Sequence, residues 1–186
     1  FRDSARRSAG ELISLSNTSD ITQRYVLKLY FCIYLVDMTL LDPFDDTYFM
    51  KRAMQEAEEA FAQGEIPVGA IIVVKNTIIA RAHNLTERLN DVTAHAEMQA
   101  ITSAANYLGG KYLKDCTLYV TLEPCQMCCG ALYWSQLARV VFGAKDERRG
   151  AGVLGTQYHP KTKIEGGIMA EESEALMKRF FAERRK

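Results

Sequence analysis

Two short stretches and the strand between them constrain this chain more than anything else in it. "TAHAEMQA", residues 93–100, puts His95 and Glu97 at the start of an apolar helical pattern, and "TLEPCQMCCGA", residues 121–131, opens a second one with Cys125 and Cys128. Between them, "TLYVTL" reads as a buried strand. A helix that leaves one sheet edge and a strand that returns to it bring the second helix start back beside the first. The chain is therefore expected to be layered α/β, with two helix N-termini converging on one point.

The residue types at that point suit a metal. A Cys-x-x-Cys pair at a helix start presents both sulfurs on one face, where free backbone N–H groups stabilise thiolates. With His95 they make three nitrogen and sulfur ligands with an open fourth position, the pattern of catalytic rather than structural zinc. A redox pair or two buried thiols, with His95 as an ordinary capping residue, accounts for either half alone; the two halves together favour the metal. Glu97, two positions from His95, does not share its helix face and is a poor fourth ligand. It can stand beside the site instead. Zinc lowers the pKa of water from about 15.7 to about 7, and a neighbouring carboxylate can take that proton and return it to a substrate. Cys129 diverges from Cys128 on the helix and is not expected to ligate. Cys116 and Cys32 read as core or surface thiols, and His159, before Pro160, reads as a loop residue.

The five cysteines are odd in number and clustered, which suits a reducing cytoplasm better than a disulfide framework. The 23 basic and 23 acidic residues cancel, so a nucleic-acid partner would have to be held by a local patch. The apolar run "YVLKLYFCIYLV", 25–36, contains Lys28 and is shorter than the roughly 20 residues that cross a bilayer. No small-residue cleavage site follows it, so no membrane association or export is expected.

The sequence changes character near Met38, a natural start. Residues 1–37 show no assignable period and are expected to be an extension, with one domain over 38–186. Asp45 or Asp46 can cap a helix carrying Phe49, Ala53, Ala57, Ala60 and Phe61 on one stripe. "VGAIIVV" and "TIIARA" form a hairpin around Lys75 and Asn76. A helix from about Ala94 to Tyr107, the strand 117–122, a helix with Pro124 as its first residue and the strand "ARVVFGA" follow. A glycine-rich loop over 150–159 and the helix "AEESEALMKRFFAERR" complete the order α-β-β-α-β-α-β-α. Nearly continuous apolar strands alternating with helices predict a three-layer α/β/α sandwich, and the opening hairpin makes its sheet mixed.

His-x-Glu followed by Pro-Cys-x-x-Cys is the zinc-deaminase signature. Beyond it, "EIPVGAIIV", "HN", "DVTAHAE", "LYVTLEPCQMCCGAL" and "RVVFGAKD" resemble the bacterial tRNA-specific adenosine deaminases over residues 46–185. The resemblance implies a cytidine-deaminase-like fold, a homodimer with one Zn2+ per subunit, and hydrolytic conversion of adenosine to inosine at the wobble position of an arginine tRNA anticodon. It implies that His95, Cys125 and Cys128 bind zinc and that Glu97 shuttles the proton. It further implies that Asn84 contacts the base, that Ile66 and Leu122 wall the pocket, and that Asp146 lies near the anticodon nucleotides. Lys145, Arg148 and Arg149 in "AKDERRG", with Arg184, Arg185 and Lys186 at the end, are candidate phosphate contacts for an anticodon stem-loop. Cys129 stands where the family commonly has a small residue. Two other functions share parts of this pattern: deamination of a free base or nucleotide such as guanine or a cytosine derivative, and a non-catalytic zinc module that binds RNA or completes a heterodimer. The latter has no need of Glu97.

Overall fold

A computed structural model of the chain describes residues 43–185. The expected extension over 1–37, its apolar run, Cys32 and Lys186 lie outside them.

Helix α1, Asp46–Ala62, begins where the Asp45 carboxylate accepts the Tyr48 N–H at 2.7 Å, satisfying one of the helix's free donors. It buries Phe49, Met50, Ala53, Met54, Ala57 and Ala60, while Phe61 is only partly buried. The chain then folds as a hairpin, β1 Gly69–Val74 and β2 Thr77–His83. Lys75 and Asn76 both take positive φ, 47° and 60°, the backbone of the two-residue turn that matches strand twist. Helix α2 spans Ala96–Leu108, β3 Thr117–Leu122, α3 Gln126–Ser135 and β4 Arg139–Ala144. A short helix α4, Ala151–Leu154, a strand β5, Lys163–Gly166, and α5, Ala170–Arg184, complete the domain.

The sheet order is β2-β1-β3-β4-β5. β1 is antiparallel to β2 and β3, whereas β3, β4 and β5 run parallel, so the sheet is mixed as expected. Alternate strand residues supply two cores. Ala70, Ile72, Leu118, Val120, Val140 and Phe142 pack with Ala96, Ala100 and Ala104 of α2 and Leu132 of α3. Ile71, Val73, Tyr119 and Val141 pack with Phe49, Met50 and Ala53 of α1, and Leu176 of α5 joins α1 through Met54 and Ala57. These are the three layers predicted. Gly69 allows the close fit of β1 to α1: a Cβ there would lie 2.2 Å from the Ala53 carbonyl oxygen.

Three details depart from the sequence reading. α4 is an additional element within the expected loop over 150–159, and β5 lies in the stretch after it to which the sequence assigns no element. Pro124 does not open α3; it is buried two residues ahead of it, and Cys125 is the extended N-cap. The reason is a bridge between Cys125 and Gly150, which keeps that residue extended until the helix begins at Gln126.

Candidate metal centre and substrate pocket

β3 carries the chain toward Cys125, and the antiparallel β1–β2 hairpin returns His83 and Asn84 to the same end of the sheet. His95 and Cys125 are the N-caps of α2 and α3, and neither uses its side chain for capping. Both side chains are therefore free to meet. His95 Nδ1 lies 3.7 Å from Cys125 Sγ and 3.5 Å from Cys128 Sγ, and the three donor atoms form one group within 4.8 Å. Tetrahedral zinc with ordinary zinc–sulfur and zinc–nitrogen bonds requires nitrogen and sulfur ligands about 3.6 Å apart. The donor set thus fits zinc in both chemistry and spacing.

The electrostatics agree with a cation site. A hydrogen bond from the Cys128 thiol, with that from His95, holds Cys125 down to about 4 although burial opposes it. Cys128 moves the other way, raised first by its hydrogen bond to Cys125 and then by burial. Cys129, adjacent in sequence, is outside the donor group. Its sulfur lies 3.6 Å from the Pro124 carbonyl oxygen, and burial pushes its thiol up to about 11.

Glu97 is 3% exposed, and burial raises its pKa while the His95 charge works against the rise. Asn84 is 4% exposed. Its Oδ1 accepts the Ala96 N–H at 3.1 Å, so a loop residue caps the helix that bears Glu97, leaving the Nδ2 amide as a spare donor. Ile66 and Leu122 are partly buried against the same core. Asp146 Oδ1 accepts the N–H groups of Arg148 and Arg149, each at 3.0 Å. It organises the basic turn rather than standing free. The Arg148 and Arg149 side chains are exposed, and no ion pair involves either among the described residues.

The terminal basic residues are less available. Arg184 lies over the Phe180 ring at 4.6 Å and donates to the Gly64 carbonyl, and Arg185 Nε donates to the Phe181 carbonyl at 3.1 Å. His159 rests edge-on against Tyr133, ring centroids 5.4 Å apart. Two buried carboxylates near the site escape the sequence reading. Glu65, 0% exposed, accepts Thr86 Oγ1 and the N–H groups of Glu87 and Arg88. Burial alone would raise its pKa, but these bonds lower it on balance. Glu123, also buried, accepts the N–H groups of Asp146 and Gly152. The available signal is position: Glu65 follows Gly64 at the end of α1, and Glu123 stands between the end of β3 and Pro124.

Comparison with known proteins agrees with this geometry. Residues 44–144 match the family model for the cytidine and deoxycytidylate deaminase zinc-binding region. A tRNA-specific adenosine deaminase of Bacillus subtilis is 43% identical over 147 residues, 76% of this chain and 91% of the relative. A solved structure from work on A-to-I editing by tRNA:A34 deaminases superposes with a TM-score of 0.66 at 39% identity, covering 70% of this chain and 99% of that one. A guanine deaminase structure from Bacillus subtilis gives 0.53 at 41% identity, covering 61% and 71%. With the zinc-binding region matched over more than half its length, and with the two tRNA deaminases covered almost from end to end, this chain belongs to the tRNA-specific adenosine deaminases of the cytidine and deoxycytidylate deaminase family.

Proposed function

We propose that the protein hydrolyses adenosine to inosine at the wobble position of a tRNA anticodon, that of an arginine tRNA, using one zinc ion held by His95, Cys125 and Cys128. The observation that carries this reading is the buried Glu97 carboxyl, on the helix start that carries His95, beside a donor triad spaced for tetrahedral zinc. Zinc, when bound, activates water for attack on the base. The chain's own groups do the rest. Glu97 takes one proton from the attacking water and delivers it to N1 of the purine, then passes the second, from the new C6 hydroxyl, to the C6 amino group, which departs as ammonia and leaves inosine. Asn84 Nδ2 donates to the base, and Ile66 and Leu122 close on its faces. Asp146 holds the turn from which Lys145, Arg148 and Arg149 reach the flanking phosphates.

An anticodon loop offers its bases already partly unstacked, which lowers the cost of drawing one into a closed pocket. No helix among the described residues is long and apolar enough to cross a membrane; with a tRNA substrate and reduced cysteines, the proposed setting is the cytoplasm. The likeness to a guanine deaminase keeps one rival in view. Inosine formation on an adenosine-containing arginine tRNA anticodon stem-loop, assayed beside free adenosine, cytidine and guanine, tests the reading directly. Rapid turnover of the stem-loop alone is expected. Guanine or cytidine turned over as fast as the stem-loop, without salt dependence, would replace the tRNA assignment by a small-molecule one.

A further inference from the structure

The turn that presents Arg148 and Arg149 is not an independent surface loop. It is fastened to the turn carrying Cys125, and the fastening converges on one side chain. Glu123 Oε2 accepts the Asp146 N–H at 3.2 Å and Oε1 accepts the Gly152 N–H at 2.9 Å. Its own N–H donates to the Ala144 carbonyl at 2.8 Å, fixing where the carboxylate leaves β3. Among the described residues no cation pairs with Glu123; the two backbone N–H groups are what satisfies it. The loop closes tightly over the carboxylate. A Cβ on Gly150 would lie 2.4 Å from Oε2, although the backbone there, with φ −63°, is one any residue adopts. The Ala151 N–H donates to the Pro124 carbonyl at 3.1 Å, and Cys125 bridges Gly150.

Buried carboxylates are expensive to leave short of donors, so the loop and the ligand turn hold one another in a single arrangement. We infer that Glu123 is a positioning residue: it sets the distance between the arginines that seat the RNA backbone and the metal ligand beside which the base reacts. The inference rests on the tRNA reading. Its consequence is that a stem-loop can seat its flanking phosphates and its base together only while Glu123 holds the turn in place, so that displacing the turn weakens binding of ground state and transition state alike.

The test uses the full chain and the anticodon stem-loop across a range of salt concentrations. E123Q keeps shape but turns an amide N–H toward a backbone N–H. It should retain wild-type zinc, raise KM about tenfold with a much smaller change in kcat, and flatten the salt dependence by about 0.7 in logarithmic slope for each phosphate that the displaced arginines no longer reach. Added to R148A/R149A, it should change KM less than about twofold, since it acts through those arginines. A role confined to stability would lower the unfolding temperature and leave KM and slope alone. KM and slope within twofold of wild type, or full additivity with R148A/R149A, would overturn the inference. Should E123Q not fold, G150A serves in its place: it leaves the carboxylate but displaces it, and the same KM and slope shifts are required of it. A wild-type protein silent on the stem-loop would remove the tRNA reading and this inference with it, and is told apart because no variant is needed to see it.

Discussion

Glu97 is shielded from water while sharing a helix start with His95, an arrangement of use to proton transfer and of none to a purely structural metal site. E97Q preserves the shape and leaves all three proposed ligands in place. Turnover should fall by at least about 10²-fold, while metal analysis finds the wild-type zinc content. Loss of zinc together with activity would make Glu97 a ligand and sink the shuttle. Asn84 allows a finer separation. N84D keeps an oxygen to accept the Ala96 N–H but discards the Nδ2 donor; N84A discards both. Both should lose turnover, but only N84A should lose the helix cap as well, about 0.5–2 kcal/mol in urea unfolding. Equal activity in N84D and wild type would assign Asn84 to capping alone. His95, Cys125 and Cys128 were legible in the sequence because ligand spacing at helix starts is a local property. Glu65 and Glu123 were not, because their donors are backbone groups more than twenty residues away, and a lone carboxylate ordinarily reads as solvent-facing.

The elements divide along the same line. β1, β3 and β4 were readable because they are apolar on both faces, and β2, despite its exposed Thr77 and Arg81, because its apolar run follows β1 across a two-residue turn; α1 and α2 were readable because a capping residue or a glycine bounds them. β5 was not: "KIEG" is four exposed residues held by its pairing to β4, so tertiary context decides it. One ion cluster secures this edge. Arg139 at the start of β4 donates to both Asp46 carboxylate oxygens at 2.6 Å and also pairs with Glu165 of β5, while Tyr119 donates to Asp46 at 2.8 Å. The Arg139 hydrogen bonds, aided by Tyr119 and opposed by burial, lower the Asp46 pKa. The sign follows: a carboxyl lowered on folding contributes stability above its unfolded value near 3.9, lost as pH falls through the folded value. D46N should therefore be less stable than wild type at pH 7, by an amount on the order of 1 kcal/mol. The difference should vanish by strongly acid pH, where wild-type Asp46 is itself neutral. A gap in urea midpoint that persists unchanged at acid pH would show that Asp46 acts through packing instead.

At the scale of the molecule, the described fold leaves one helix face unfinished. Trp134 on α3 is 77% exposed and stands edge-on to Tyr133 at 5.7 Å. The adjoining α4 adds Val153 and Leu154, 59% and 51% exposed. A tryptophan buries roughly 150–250 Å² when covered, and contiguous apolar patches of this kind mark association surfaces. Because these side chains sit on helices next to the metal centre, a self-complementary contact there would be isologous and would bring the partner's loops toward each substrate pocket. The protein should therefore sediment at twice its 21.0 kDa chain mass at micromolar concentration. W134E, which places a charge in the middle of the patch, should shift it to monomer without loss of zinc, because no proposed ligand is touched. Stem-loop turnover should fall with the shift and recover as protein concentration rises, in proportion to the dimer present. A wild-type monomer would refute the dimer and require each pocket to be complete within one chain. A W134E monomer with wild-type turnover would leave the dimer standing while showing that catalysis does not need it.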